Sequence, residues 1–116
     1  MVNCQNHFGS NERGKLFEPR DLATNDAVTN YAYGIRNNRF WLGINEIVIE
    51  DTFQYATGGN LVFTNWEVGQ PDNVPGFDCV QSMPRDEAWK GKWDDYSCVT
   101  KRSSICEMTF DGNLMH

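Results

Sequence analysis

Two short motifs between Phe63 and Cys98 carry the residues best suited to chemistry: Gln70-Pro71-Asp72 and Trp93-Asp94-Asp95. Together they offer one amide oxygen and three carboxylates, set between aromatic anchors (Trp66, Trp93) and bracketed by Cys79 and Cys98. Hard oxygen ligands on a braced loop are what calcium requires, since Ca²⁺ takes six to eight oxygens at roughly 2.3–2.6 Å. The first chemical expectation is therefore a cation site, not a catalytic one. Carboxylates alone would permit acid/base chemistry such as glycoside hydrolysis. No nucleophile, base and orienting group stand together, however, so the chain reads as a non-enzyme.

The elements that must position these groups follow from pattern. Asn25 is placed for a helix N-cap, with Asp26 in the first turn and Gly34 as the C-terminal stop. Ala27, Val28, Tyr31 and Ala32 then fall on one face, as an amphipathic helix requires. A shorter helix is expected around Cys4. From Phe40 the pattern turns to strands, with Phe40-Trp41-Leu42-Gly43-Ile44 as a compact buried run. Phe53 and Tyr55 alternate with polar neighbours, and Gly58-Gly59 marks a turn before Leu61-Val62-Phe63. Later short strands are expected at Cys79-Val80, Lys92-Trp93 and Ile105-Cys106. The stretch from Asn65 to Asp78 contains Pro71, Pro75, Gly69 and Gly76, so it is a long irregular loop, and such loops in small domains are usually functional. The fold class is α+β, helices first and short antiparallel strands after.

At 116 residues the chain is long enough for one domain with a modest core. Sixteen acidic against ten basic residues give a net charge of −6. That balance disfavours nucleic acid, whose phosphates need a basic footprint. The four cysteines, at 4, 79, 98 and 106, contain no C-x-x-C pair, which disfavours tetrahedral zinc. An even number in a small domain suggests two disulfides and an oxidising, extracellular setting, with three pairings open. A Cys79–Cys98 loop would stabilise by about 3 kcal/mol in the chain-entropy model. No secretory signal, bilayer-spanning run or N-x-S/T sequon is visible, so membrane insertion is not expected.

Nearly the whole chain resembles the C-type lectin domain. The resemblance rests on Cys4, the helix around Ala27 to Ala32, Trp41-Leu42-Gly43-Ile44, Phe53-x-Tyr55, Gly58-Gly59 and Trp66. It continues through Gln70-Pro71-Asp72, Cys79-Val80, Trp93-Asp94-Asp95, Cys98 and Ile105-Cys106-Glu107. The resemblance implies disulfides Cys4–Cys106 and Cys79–Cys98. It implies a calcium ion held by Gln70, Asp72, Asp94 and Asp95, with a cis bond before Pro71 and two neighbouring sugar hydroxyls completing the coordination. Gln70-Pro71-Asp72 reverses the acceptor-then-donor order of a Glu-Pro-Asn arrangement, which by resemblance favours galactose or N-acetylgalactosamine. Glu46, Glu50, Asn73 and Asp78 align with positions that hold an auxiliary calcium. Stacking on the sugar's apolar face would have to come from Phe77 or Trp89, and Trp89 is taken as the sugar-facing residue.

The chain departs from the family pattern at several points. Phe77 stands where sugar-binding members usually have a glutamate ligand, and the segment from Gln70 to Cys79 is one residue short. Asp94 stands where asparagine is usual, and Val74 where galactose binders often place a stacking tryptophan. The family also carries a segment ahead of the counterpart of Cys4 that pairs with the C-terminal strand. Read this way, residues 1–110 form an N-terminally truncated domain and 111–116 a tail. Ile105 to Phe110 is then left without a partner, an aggregation hazard that would lower stability. A binding module for galactose-type glycans is the leading expectation. A lectin-like domain that binds protein or a surface, or serves as scaffold, is the alternative. Trp41, Trp66 and Trp93 are read as core residues, and His7 and His116 have no convincing partner. One site binds sugar weakly, so useful avidity would require several copies and oligomerisation is open.

Overall fold

The apolar run beginning at Phe40 becomes a central strand in which every residue from Phe40 to Ile44 is buried. A strand covered on both faces reads as a continuous apolar run rather than an alternating one. The structure, a computed structural model, describes residues 12–72 and 74–110. In order its elements are β1 (Glu12–Leu16), α1 (Leu22–Ile35), β2 (Phe40–Asn45), β3 (Gln54–Tyr55), β4 (Cys79–Ser82), β5 (Trp93–Tyr96), β6 (Ser103–Ser104) and β7 (Cys106–Phe110). One sheet runs β3-β2-β4-β5, with β6 added to β2 in parallel; β1 and β7 form a second, two-stranded sheet. The class is α+β as expected, although a strand precedes the described helix and one strand pair is parallel.

The unpaired C-terminal strand does not materialise. β7 is hydrogen-bonded antiparallel to β1, with Leu16 opposite Cys106 and Glu12 opposite Phe110. The pairing extends to Phe17, whose N–H reaches the Ile105 carbonyl at 2.8 Å. Residues just after the first cysteine thus supply the missing partner, and the stability deficit expected from an open edge loses its basis. The expected helix around Cys4, His7, and the 111–116 tail with His116 lie outside the described residues.

The helix begins earlier than expected. Asp21 is the N-cap, its Oδ1 accepting from Thr24 N–H at 2.7 Å. A carboxylate one turn upstream satisfies the first free amides, so Asn25 is not needed there. Asn25 is instead fully buried, and the buried stripe is Asn25, Thr29, Ala32 and Tyr33. Ala27 and Tyr31 point outward and Val28 is half-buried, so the expected face is rotated. Polar residues at two of four core-facing positions conceal the true stripe from an apolar pattern. Gly34 lies within the last turn, and Arg36 N–H closes the helix on the Ala32 carbonyl at 2.9 Å.

Leu61-Val62-Phe63 remains irregular, with Leu61 and Phe63 packed on the core and Val62 exposed. The Gly58-Gly59 turn holds, since Tyr55 N–H bonds the Gly59 carbonyl at 3.0 Å and Gln54 bridges Asn60. Gly43 is required where the chain after β1 crosses β2. A Cβ there would sit 2.7 Å from the Leu16 carbonyl oxygen and 2.9 Å from Glu18 Cγ. That crossing buries Glu18, whose carboxylate accepts from Thr57 N–H at 2.9 Å and from the Thr57 hydroxyl, and pairs with Lys15 at 3.1 Å and Arg20 at 3.2 Å.

Burial alone would raise the Glu18 carboxyl, but the hydrogen bonds from Thr57 and the Lys15 ammonium outweigh it and hold the group below its ordinary value. Its contribution to stability is therefore complete above the unfolded pKa and lost as pH falls through the lower folded value. Glu18→Gln is expected to lower the melting temperature at neutral pH by about 5 °C or more, with the deficit shrinking toward roughly pH 3. Scanning calorimetry across pH checks this, and a deficit independent of pH contradicts it. Asn25 accepts the indole N–H of Trp93 at 3.0 Å, and both side chains are fully buried. Asn25→Ala should cost about 1–3 kcal/mol in urea unfolding, because it strands a buried donor. A loss below about half a kcal/mol would mean another group satisfies the indole.

Candidate functional site

The long loop from Asn65 to Asp78 is irregular, as its prolines and glycines require, and it is fastened at both ends. At its start, Trp93 N–H donates to the Asn65 carbonyl and Glu67 N–H donates to the Trp93 carbonyl, each at 2.9 Å. Trp66 and Phe63 meet the Trp93 ring edge-on, at centroid distances of 5.6 and 5.5 Å, and Phe53 meets Trp66 at 5.0 Å. Edge-to-face packing of this kind adds to the area the rings bury. At its end, the Asp78 carbonyl accepts from Glu46 N–H at 3.0 Å, and Cys79 is bonded to Cys98. Cys106 is also disulfide-bonded, while its expected partner Cys4 lies outside the described residues.

Between those anchors the Gln70–Pro71 peptide is cis. Gln70 N–H turns back on the Glu67 carbonyl at 2.9 Å, and Asp72 N–H donates to Asp95 Oδ1 at 2.9 Å. The tripeptide is thereby tied directly to β5. Asp72, Asp94 and Asp95 each bring a carboxylate oxygen to within 4.8 Å of the others. Asp95 is fully buried, Asp94 half-buried and Asp72 exposed, so the cluster opens outward from the end of the loop.

Two atoms of these two motifs have unmet needs. Gln70 Oε1 and Asp94 Oδ1 are buried acceptors without a hydrogen-bond partner, a costly condition for polar atoms removed from water. Burial raises the Asp94 carboxyl above its ordinary value, and the Asp95 and Asp72 charges add to this, partly opposed by a hydrogen bond from Gln81 and more weakly by the Arg39 charge. Convergent carboxylates with a neighbouring orphaned amide oxygen fit a hard cation, which supplies the missing positive partner. Hydrogen-bond donors would satisfy the oxygens but not the like-charge repulsion.

The residues considered for an auxiliary ion are less assembled. Glu46 is buried, and its Oε2 accepts from Asp51 N–H at 2.7 Å. Burial raises its carboxyl, and the nearby Asp78 charge contributes in the same direction. Glu50 is exposed, and Asn73 lies outside the described residues. Among the described residues, Glu46, Glu50 and Asp78 do not form a three-membered acidic cluster of the kind seen at Asp72, Asp94 and Asp95. Trp89 sits in the connection between β4 and β5, 38% exposed, and Val74 is 41% exposed. Phe77 turns its ring onto Tyr96 at 4.9 Å, and the Arg102 guanidinium lies over the Tyr96 ring at 5.2 Å from its centroid. It offers the cluster no oxygen.

Two side chains that hold β5 in place belong to neither motif. Gln81, on β4 opposite Asp94, donates Nε2–H to Asp94 Oδ2 at 3.1 Å and accepts from Arg102 Nε–H at 2.9 Å. Asn25 holds Trp93 from the helix and also donates to the Gly91 carbonyl at 3.3 Å. The available signal was a polar residue inside an otherwise buried segment, such as Gln81 in Cys79-Val80-Gln81-Ser82.

Comparison with known proteins agrees with this architecture. The family model of the lectin C-type domain matches residues 2–108. Pulmonary surfactant-associated protein D of Bos taurus is 38% identical over 95 residues, covering 81% of this chain and 24% of that protein. Collectin-43 of Bos taurus is 35% identical over 95 residues, covering 82% of this chain and 29% of that protein. The chain thus spans less than a third of the length of either relative. Among solved structures, the C-type lectin CEL-I from Cucumaria echinata superposes with a TM-score of 0.79 at 28% identity, covering 93% of this chain and 79% of that one. Such relatives are binding proteins rather than enzymes. With the matched model spanning almost its whole length and the loop, sheet and disulfide arranged as described, this chain belongs to the C-type lectin domain family.

Proposed function

We propose that this domain binds carbohydrate through a calcium ion held by Gln70, Asp72, Asp94 and Asp95. The observation that carries this reading is the convergence of the Asp72, Asp94 and Asp95 carboxylates, together with two orphaned acceptors in the same motifs, Gln70 Oε1 and Asp94 Oδ1. When bound, the ion supplies coordination positions for two neighbouring sugar hydroxyls. The protein's own part is to hold its oxygens in place: Asp95 fixes the Asp72 backbone, and the loop is locked to β5 through Trp93. The amide-then-carboxylate order of Gln70 and Asp72 supports galactose-type sugars, and Trp89, 38% exposed, is assigned to their apolar side.

Glu46, Glu50, Asn73 and Asp78 are assigned to an auxiliary calcium; the raised Glu46 carboxyl beside Asp78 supports a cation there. We assign residues 1–110 to the domain, 111–116 to a tail and Cys4 to a bond with Cys106. Disulfides support an extracellular setting. Among the described residues no helix is long and apolar enough to cross a membrane. Phe77 favours a second reading, a lectin-like domain that binds protein or a surface without sugar, because its ring is committed to Tyr96 where a further anionic ligand would stand.

Affinity chromatography separates the two readings. With calcium present, the protein is expected to be retained on immobilised galactose more than on mannose, and to elute with chelator. Asp95→Ala should abolish retention. Absence of binding on a broad glycan array, together with no heat on calcium titration, rules out the sugar-binding reading.

A further inference from the structure

The hydrogen bonds behind Asp94 have a direction, and the direction constrains what can stand at that position. Arg102 Nε–H meets Gln81 Oε1 at 2.9 Å. A guanidinium has only donors, so the Gln81 atom facing it must be the oxygen. The Gln81 amide, 2% exposed and enclosed in β4, therefore presents its NH₂ to position 94 and is not free to flip. The Arg102 guanidinium is itself seated over the Tyr96 ring, which carries Phe77.

An NH₂ group facing position 94 requires an acceptor there. Aspartate has two carboxylate oxygens, so Oδ2 takes the Gln81 bond at 3.1 Å while Oδ1 stays unpartnered. Asparagine has one oxygen. Turned toward Gln81, it would present its own NH₂ to the carboxylate cluster and repel a cation. Turned toward the cluster, it would bring two NH₂ groups together across the strand pair, leaving buried donors unsatisfied. We propose that Arg102 and Gln81 act as positioning residues that fix the hydrogen-bond polarity behind the cation site, so that aspartate and not asparagine must stand at 94. The inference rests on the cation site proposed above, and it assigns a function to the replacement of an amide by a carboxylate there. It also gives Phe77 a place: with Tyr96 it forms the aromatic support under the arginine.

Calcium titration calorimetry on several backgrounds tests this. Asp94→Asn in the Gln81 background should weaken calcium binding by about ten- to a hundredfold. In a Gln81→Glu background, the introduced carboxylate still pairs with Arg102 and can accept from the amide NH₂ that Asp94→Asn places opposite it. The amide oxygen at position 94 is then free for the ion. There the same change should cost about threefold or less. An Arg102→Met background, in which Gln81 is free to flip, should also reduce the cost. Equal losses in all backgrounds would mean that only charge matters, and would overturn the relay while leaving the cation site intact. Hydrogen exchange by NMR provides a metal-free readout. The Gln81 side-chain amide should exchange slowly in the unsubstituted protein and several-fold faster in Arg102→Met; no difference overturns the relay. No calcium heat in the unsubstituted protein would overturn both readings together.

Discussion

Helix, sheet and long loop are all fastened to the buried indole of Trp93. Its ring is fully buried, so its N–H must find a partner inside the protein, and Asn25 provides it from the helix. Its backbone N–H and carbonyl are both taken by the start of the long loop, at Asn65 and Glu67. Phe63 and Trp66 pack against it from that same part of the chain. One residue therefore joins three elements, and the two residues after it are the carboxylates Asp94 and Asp95. The position of the site relative to the loop tripeptide follows from where this indole is held.

The carboxylate cluster is the counterpart of that stability. Three acidic groups converge with buried acceptors left open, and Asp94 resists ionisation there because of burial and its neighbours. A fold optimised only for stability would satisfy or remove those atoms. Phe77, Tyr96 and Arg102 form a layer of their own, in which the Tyr96 ring meets both the Phe77 ring and the Arg102 guanidinium.

Polar residues in the interior do much of the positioning. Glu18 ties the crossing of β1 and β2 to Thr57, Asn25 orients Trp93, and Gln81 orients Asp94. Each is hydrogen-bonded by groups distant in sequence, which makes these contacts invisible to local periodicity. For that reason the true buried face of the helix was not legible, while the apolar β2 and the Gly58-Gly59 turn were. The same limit explains β1: its pairing with β7 joins residues 12–16 to 106–110, and Glu12–Leu16 has little alternating apolar signal to announce a strand.

Residue order alone was enough for the fold class, the family, the irregular loop from Asn65 to Asp78 and the two motifs that bear its oxygens. Local chemistry suffices for these, because proline, glycine, buried aromatic runs and cysteine spacing act on nearby backbone. Which of the oxygens meet was settled by the folded arrangement. It joined Asp72 to Asp94 and Asp95, left Gln70 Oε1 and Asp94 Oδ1 unpartnered, and set Phe77 against Tyr96. Convergence of that kind depends on strand register and on buried hydrogen bonds between remote residues, which no local pattern encodes.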